Sequence, residues 1–466
     1  MKRKKTFSAL LLFNLTVFCF VARSQNPKIK CYFNHPVNTN VSSGVNAVYL
    51  NSTFDDTVAA YINRAKYTID IAQYDYLSTG SSGVNIIAVA INNAYARGVV
   101  IRWIYNGSSG NTGLGLINSN IKKLASPTTS AYGIMHNKFM VIDVNSSNAN
   151  DAFLWTGSYD WSDQQTVGDY NNMVIIQDQN VAMTYYNQFN QMWGGSGPSP
   201  NSANSKFGVY KSPSAVTSFT VAGTPVQVYF SPMDNSQNHI LSTINSTNNE
   251  MFFGIYTFTD NTIANTIKNK YNAGNAVHGI MDQYSTTFAA YSTLNPVLGT
   301  NLKVYTSSNT YHNKIMLVDF LHPASDPQVF TGSFNWTASA ENNNDEGSVV
   351  IHDSVIVNQY YQSLCKNFTD MGGTACPAIN GIEAYDYGQM QCAVYPNPFS
   401  DEITVDVKNS GEKLTIRITD PLGKTVLEKE GYYTNRMKIN TSALSHGIYF
   451  VRVFDGSNSF IQKIIK

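Results

Sequence analysis

The chain has 466 residues, 43% of them apolar, which is enough for two large buried cores and a small additional domain. Basic and acidic residues number 31 each, so the whole chain lacks the basic excess of proteins that grip long nucleic acids. After residue 24, no segment reaches the length of about 18 apolar residues that a membrane-spanning helix requires, so we expect a mature protein without a transmembrane segment.

The amino terminus has the three parts of a secretory signal peptide. A basic start from Met1 to Lys5 precedes an apolar run from Ala9 to Val21, and Ala22-Arg-Ser24 offers small residues for cleavage before Gln25. We therefore expect residues 1–24 to be removed during export.

The next chemically distinctive segment begins at His136-Asn137-Lys138 and closes at Asp143. Because side chains alternate along a strand, His136 and Lys138 fall on one face and point at the same spot. The unbroken apolar run from Phe139 to Ile142 is typical of a strand that is buried on both faces. A stretch of the form Thr-Gly-Ser-Tyr-Asp-Trp follows at residues 156–161.

A second copy of this pattern lies further along the chain. His312-Asn313-Lys314 is followed by Asp319 and then by Thr-Gly-Ser-Phe-Asn-Trp at residues 331–336. The two histidines are 176 positions apart, and so are Gly98 and Gly274, each of which separates a predicted helix from a predicted strand. A strand, helix, strand order that occurs twice predicts an internal duplication and an α/β architecture with helices packed on a sheet.

Two copies of H-x-K-x4-D, each followed by G-S-x-D/N, resemble the phospholipase D superfamily over roughly residues 44–365. The resemblance implies an α/β fold of two homologous halves, residues 25–200 and 201–371, that share one active site. It also implies a monomer in which that site has pseudo-two-fold symmetry.

The predicted chemistry requires two histidines. One imidazole attacks phosphorus, the other gives a proton to the leaving oxygen, and water then releases a phosphohistidine intermediate. Lys138 and Lys314 would bind the non-bridging oxygens and offset their charge. On this scheme no metal and no other cofactor is needed.

The resemblance also implies roles for the residues that follow each motif. Ser158 and Ser333 would give hydroxyl donors to the phosphate, and Asn335 an amide. Glu346 would hold a catalytic imidazole, which we expect to be His312. The first half departs from the pattern, because Asp160 stands in place of Asn335 and Asn171 in place of Glu346. Asp169 is a candidate substitute for the missing acid, and the inequality suggests His136 as nucleophile and His312 as acid.

Asp143 and Asp319 receive a different prediction. Each lies five residues after its lysine, at the end of a strand and on the opposite face. We expect both to be loop caps or structural ion-pair partners and not catalytic residues.

The carboxyl-terminal segment reads as a small β-sandwich over residues 393–466, after a linker at 372–392. Alternating strands are predicted between turns, at residues 402–407, 414–419, 424–428, 436–439, 448–454 and 460–465. Its Y-P-N-P opening, its Leu444-to-Val451 stretch and its final Lys-Ile-Ile-Lys resemble the sorting domain of the type IX secretion system. This implies the type IX machinery as a partner and a secreted or cell-surface location.

Four cysteines remain after the predicted cleavage: Cys31, Cys365, Cys376 and Cys392. None forms a C-x-x-C pair, which argues against a metal or redox motif. An even count in an oxidising compartment favours one or two disulfides, and Cys365 with Cys376 is the first candidate pair.

Charge and aromatic residues bear on the substrate. The signal peptide holds five of the 31 basic residues, and the segment from residue 394 holds ten, with eight of the 31 acidic ones, which leaves 16 basic against 23 acidic residues for the central part. This net charge of −7 favours a phospholipid headgroup or another small phosphodiester. The G-S-F-N-W-T segment and Glu346 resemble the endonuclease branch of the superfamily, so an enzyme that acts on DNA or RNA stays an open alternative. A catalytically silent binding protein is a further alternative. Four aromatic side chains at strand ends would contact acyl chains, stack on bases or simply pack: Tyr74, Tyr76, Tyr256 and Phe258.

Overall fold

The computed structural model describes residues 25–374, 376–377, 392–407, 413–420, 424–432, 436–454 and 459–466. The predicted signal peptide and most of the predicted linker lie outside these residues. Internal contacts separate a large unit, Ser24–Ile379, from a carboxyl-terminal unit that begins at Asn380.

The first half of the large unit is built on an eight-stranded mixed sheet with the order β2-β1-β10-β8-β7-β3-β5-β6, and β4 pairs with β9 beside it. Its strands are Ile29–Phe33 (β1), Val48–Tyr49 (β2), Thr68–Gln73 (β3), Tyr76–Leu77 (β4), Val100–Tyr105 (β5), Lys122–Ala125 (β6), Lys138–Ile142 (β7), Phe153–Gly157 (β8), Trp161–Ser162 (β9) and Asn172–Ile176 (β10). Its helices are Phe54–Ile62 (α1), Asn85–Ala96 (α2), Asp163–Val167 (α3) and Gln179–Trp193 (α4).

The second half has its own eight-stranded sheet, in the order β11-β12-β18-β17-β16-β13-β14-β15. Its strands are Ser218–Val221 (β11), Thr224–Ser231 (β12), Glu250–Ile255 (β13), Ala276–Asp282 (β14), Leu302–Tyr305 (β15), Lys314–Val318 (β16), Gln328–Gly332 (β17) and Glu346–Ile351 (β18). Its helices are Ser236–Ser246 (α5), Asn261–Asn272 (α6), Ala289–Leu298 (α7), Ala338–Asn342 (α8) and Ser354–Asp370 (α9). The predicted α/β duplication is confirmed.

The register of the central strands is the same in both halves. Strand β3 runs parallel to β5 and antiparallel to β7, with Gln73 opposite Lys138. In the second half, β13 runs parallel to β14 and antiparallel to β16, with Ile255 opposite Lys314. Every residue of β7 and of β16 is buried, as the unbroken apolar runs predict. Each lysine is therefore the first residue of a buried central strand, at the equivalent position in its sheet.

The helices lie in layers on both faces of the sheets. Helices α4 and α9 carry the apolar faces of one shared core, which takes side chains from both sheets. Helix α9 contacts β1 of the first half as well as β13, β16 and β17 of its own half. Two outer cores lie under α1 and α2 and under α5, α6 and α7. The shared core fixes the two halves against each other.

The glycine of each Thr-Gly-Ser stretch permits a close approach of two strands. Gly157 and Gly332 have φ of 151° and 146°, a region that side chains rarely adopt. A Cβ on Gly332 would lie 2.2 Å from the carbonyl oxygen of Gly347, and one on Gly157 would lie 2.3 Å from that of Asn172. The glycines thus let the following serines approach the neighbouring strands β18 and β10.

The carboxyl-terminal unit contains two small sheets around one apolar core, in the orders β19-β20-β23 and β22-β21-β24-β25. The strands are Cys392–Tyr395 (β19), Glu402–Val407 (β20), Lys413–Thr419 (β21), Thr425–Tyr432 (β22), Arg436–Asn440 (β23), Ile448–Phe454 (β24) and Ser459–Ile465 (β25). Alternation of buried and exposed residues along β20, β21 and β24 matches the predicted sandwich pattern. Strand β19 was not predicted.

All cysteines in the described residues are free thiols, so the predicted disulfide between Cys365 and Cys376 is not formed in this structure. A hydrogen bond between the two thiols nevertheless lowers the pKa of Cys365. Among the described residues, no helix combines the length and apolar content needed to cross a membrane.

Candidate active site

The two H-x-K motifs meet at one buried site between the halves. Lys138 and Lys314 are 1% and 2% exposed, and both histidines are 6% exposed. Each lysine Nζ donates back to the carbonyl oxygen of its own histidine, at 3.2 Å for His136 and 2.6 Å for His312. The two ammonium groups therefore belong to the first residues of β7 and β16, and the two imidazoles belong to residues two positions before them.

Each histidine is held by a residue from the opposite half. Nδ1 of His136 lies 2.7 Å from Oε2 of Glu346, and Nδ1 of His312 lies 3.0 Å from Oδ1 of Asn171. The prediction that Glu346 supports His312 is wrong. The reason is that the second half reaches across to the first: the His136 amide donates to the carbonyl oxygen of Asp345, so the start of β18 lies beside the first half's motif.

Asp169, the predicted substitute acid, does not contact His312 either. Its Oδ1 accepts from the backbone amide of Thr310 at 2.8 Å and from Gln164 at 3.0 Å. It therefore anchors the loop that leads to His312. The residue that fills the role of the acid is the neutral Asn171.

The two serines hold the histidine partners and not the phosphate position that was predicted for them. Ser333 Oγ donates to Oε2 of Glu346 at 2.7 Å, and Ser158 Oγ donates to Oδ1 of Asn171 at 2.9 Å. A hydroxyl has a single proton to donate, and in both cases the partner already uses it. Both contacts depend on the close approach that Gly157 and Gly332 allow.

Asp160 and Asn335 occupy equivalent positions but make different contacts. Oδ1 of Asp160 lies 3.1 Å from Nζ of Lys138, and Oδ2 lies 4.0 Å from Nε2 of His312. Asn335 is half-buried, and its Oδ1 accepts from the backbone amide of Thr257 at 3.3 Å. This contact uses the amide oxygen of Asn335, so its Nδ2 group can donate elsewhere.

The aromatic residues at the strand ends divide into two pairs. The Tyr74 ring lies 4.8 Å from both the His136 ring and Nζ of Lys138, and Tyr256 lies 5.2 Å from His312 and 5.3 Å from Lys314. Tyr76 and Phe258 are fully buried in the two outer cores. Of these four aromatic residues, only Tyr74 and Tyr256 border the site.

The site concentrates positive charge in a dry environment. Burial, followed by the nearby ammonium groups, lowers the pKa of His136, of His312 and of Lys314 well below their ordinary values. Burial also raises the pKa of Glu346 to about 8, against the influence of Lys138. Burial raises the pKa of Asp160 too, and Lys138 again opposes the rise. An anion bound between the lysines would relieve the repulsion among these groups.

Asp143 and Asp319 are loop caps, as predicted. Asp143 accepts from three successive backbone amides, those of Lys66, Tyr67 and Thr68, at 2.7–2.8 Å. Asp319 accepts in the same way from the amides of Asn248 and Asn249. Both aspartates thus fix the starts of β3 and β13, the strands that pair with the motif strands.

One cluster near the site was not anticipated. Asp345 is fully buried; its Oδ1 lies 2.7 Å from Nζ of Lys211 and accepts from the Gly208 amide, and its Oδ2 accepts from the hydroxyl of Tyr132. Lys211 comes from the segment that joins the two halves, where no motif marks it. Its partner adjoins Glu346 in the sequence, and this is the only signal that the chain itself offers.

Comparison with known proteins agrees with this geometry. The family model described as cardiolipin synthase, phospholipase D-like domain, matches residues 58–193 and 240–367, which together make up more than half of the chain. The chain belongs to the phospholipase D-like family. The two matched segments of this phospholipase D-like protein contain both H-x-K motifs and the residues that hold them.

Relatives of known identity are distant. The mitochondrial cardiolipin hydrolase of Drosophila melanogaster is 28% identical over 153 residues, which are 29% of this chain and 57% of that protein. The phospholipase D-like chain thus spans little more than half the length of this curated relative. Nuc, a phospholipase D family member from Salmonella typhimurium, is 27% identical and covers 32% of this chain and 93% of its own, with a TM-score of 0.27.

A wider structural likeness supports the fold. Phosphatidylserine synthase from Haemophilus influenzae is 15% identical and covers 77% of this chain and 90% of its own, with a TM-score of 0.52. At this identity the likeness concerns the fold alone.

The carboxyl-terminal unit has a match of its own. Residues 393–466 match the family of secretion system C-terminal sorting domains. This tail directs the phospholipase D-like protein to type IX secretion, and its location is secreted or at the cell surface.

Proposed function

We propose that this protein hydrolyses phosphodiesters through a phosphohistidine intermediate, with His136 as nucleophile and His312 as general acid. The observation that carries the proposal is the 2.7 Å contact between Oε2 of Glu346 and Nδ1 of His136. A carboxylate that accepts the Nδ1 proton leaves the Nε2 lone pair available for attack and stabilises the positive charge that the imidazole acquires.

In the first step, Nε2 of His136 forms a bond to phosphorus as the bond to the leaving oxygen breaks. The leaving oxygen keeps the electron pair and takes the proton from Nε2 of His312. In the second step, His312 takes a proton from water, the resulting hydroxide attacks phosphorus, and the bond to His136 breaks. Both histidines then return to their starting states.

Three groups stabilise the phosphorane-like charge in both steps. Lys138 and Lys314 supply buried ammonium groups on either side, and Asn335 supplies an amide donor. Because the lysines also bind the carbonyl oxygens of their own histidines, they keep the phosphate in line with both imidazoles.

For the substrate we propose a phospholipid headgroup ester. The central part of the chain carries 16 basic against 23 acidic residues, which disfavours long polyanions. One relative, a mitochondrial cardiolipin hydrolase, is named for a lipid substrate, which agrees with this choice. A metal-independent endonuclease is the second candidate, and the G-S-F-N-W-T segment at residues 332–337, followed by Glu346, favours it.

One set of assays separates the candidates. The mature protein is incubated with EDTA and either bis(4-nitrophenyl) phosphate, phosphatidylcholine and cardiolipin vesicles, or plasmid DNA at low salt. We expect turnover of the aryl diester and of lipid, and none by His136→Asn. Nicking of plasmid without lipid turnover would select the endonuclease. A folded protein that cleaves no diester would overturn the proposal in favour of a binding role.

A further inference from the structure

The two halves differ by an exchange of acid and amide. Where the second half has Glu346 beside an imidazole, the first half has Asn171; where the second half has Asn335 after its Gly-Ser pair, the first half has Asp160. Each half thus contributes one carboxyl and one amide, but at opposite positions. Each imidazole thus has an acidic neighbour, and the charge of Asp160 also favours the protonated form of His136.

The acid lies on a different side of each ring. Glu346 contacts Nδ1 of His136 directly at 2.7 Å. His312 has the uncharged Asn171 at Nδ1, and Asp160 approaches its other nitrogen, Nε2, at 4.0 Å. This distance is too long for a hydrogen bond, so the carboxyl attracts a proton on Nε2 without capturing it.

Most other charges around His312 act against its protonation. Burial and the ammonium groups of Lys314 and Lys138 disfavour the imidazolium, as does His136, whereas the backbone of Ser158 favours it. Tyr256 lies against the ring. Asp160 is buried, and its Oδ1 lies 3.1 Å from Nζ of Lys138. Its negative charge therefore offsets the positive charge of Lys138, the lysine of the first half. A general acid in this position therefore needs the negative charge that Asp160 supplies.

We propose that Asp160 keeps Nε2 of His312 protonated until the leaving oxygen takes that proton. Asp160 is then a positioning residue that acts through His312, and it makes the second histidine the acid in place of a second nucleophile. This inference rests on the proposed function and assigns a role to the departure of the first half from the second. In the proton transfer, Asp160 itself neither gains nor loses a proton.

The first test compares leaving groups in the Asp160→Asn variant, with Asp56→Asn as an exposed control for the same chemical change. A 4-nitrophenolate departs without a proton, whereas a 4-methoxyphenolate needs one. We expect kcat/KM for bis(4-methoxyphenyl) phosphate to fall about 100-fold, and that for bis(4-nitrophenyl) phosphate by less than about threefold. Equal losses for both esters would overturn the proposal and assign Asp160 to phosphate positioning through Lys138.

The second test needs no substrate. Nuclear magnetic resonance of nitrogen-labelled imidazoles, with His312 assigned by its loss in His312→Asn, reports the pKa of His312 directly. We expect Asp160→Asn to lower this pKa by about one unit, and Asp56→Asn to leave it unchanged. An unchanged pKa in Asp160→Asn would overturn the inference. If the wild type cleaved no diester, the proposed function would fail while this measurement still decided the role of Asp160.

Discussion

At the scale of single residues, the proposed chemistry depends on four groups from the two H-x-K motifs and on the residues that hold them. His136, Lys138, His312 and Lys314 follow from a doubled motif with a chemical reason for each residue type. The assignment of Glu346 to His136 depends on how the two halves pack, which sequence spacing within one half does not contain. Ser158 and Ser333 differ in this respect, because each donates its single proton to a residue of its own half, Asn171 and Glu346.

Glu346→Gln tests the support that the carboxyl gives to the proposed nucleophile. The amide can orient the ring but cannot stabilise the imidazolium-like charge, so we expect kcat/KM on bis(4-nitrophenyl) phosphate to fall about 100-fold. Glu341→Gln, a matched change on α8 away from the site, should keep wild-type activity. Full activity in Glu346→Gln would remove the basis for the proposed difference between the histidines.

Glu346 also makes a prediction about stability. Burial raises its pKa from an ordinary value of 4.5 to about 8 in the folded protein. The folded state therefore binds this proton more tightly than the unfolded chain does, and its free energy of unfolding falls as the pH rises from about 4.5 to about 8. Relative to wild type, Glu346→Gln should gain on the order of 3 kcal/mol between these pH values.

Denaturant unfolding at both ends of that pH range, in both proteins, measures the difference. Parallel pH profiles would show that burial in the folded protein does not raise the pKa of Glu346.

At the scale of elements, the central strands were predictable because their pattern is unambiguous. Both motif strands are unbroken apolar runs, and both are wholly buried. The caps Asp143 and Asp319 were predictable from the alternation of side chains. The two-residue strands β4 and β9 and the tail strand β19 carry too little periodic pattern to be read from sequence.

The cap at Asp143 should matter for folding and not for chemistry. Asp143→Ala leaves three partly buried backbone amides without their acceptor, so we expect a loss of about 3 kcal/mol in the free energy of unfolding. At a temperature where the variant is folded, its kcat/KM should stay within about threefold of wild type. A large loss of activity with undiminished stability would instead give Asp143 a catalytic role. Asp319→Ala, the equivalent change in the second half, should behave alike.

At the scale of the whole molecule, the composite site forms only where the two halves pack against each other. The buried pair of Lys211 and Asp345, with the hydroxyl of Tyr132, joins both halves and the segment between them next to Glu346. No sequence pattern marked this cluster, because its members lie far apart along the chain and each is unremarkable alone. The duplication and the fold class were predictable from the sequence, but the interface between the two halves was not.

Lys211→Met should be strongly destabilising, because it leaves the carboxylate of Asp345 buried without its cation. We expect a loss of about 3–5 kcal/mol in the free energy of unfolding, and partial recovery in Lys211→Met/Asp345→Asn. Chemical denaturation of the wild type and of the two variants measures both effects. A single variant as stable as wild type would show that the pair does not hold the halves together.

The central claim is that one composite site uses His136 as the nucleophile. The most direct measurement is to mix His312→Asn with bis(4-nitrophenyl) phosphate, whose leaving group needs no acid, quench in alkali and locate the phosphoryl group by peptide mass spectrometry. Because this variant lacks the base for the second step, we expect a 4-nitrophenylphosphoryl group to accumulate on His136. Release of 4-nitrophenolate by this variant with no modification of His136 would contradict it.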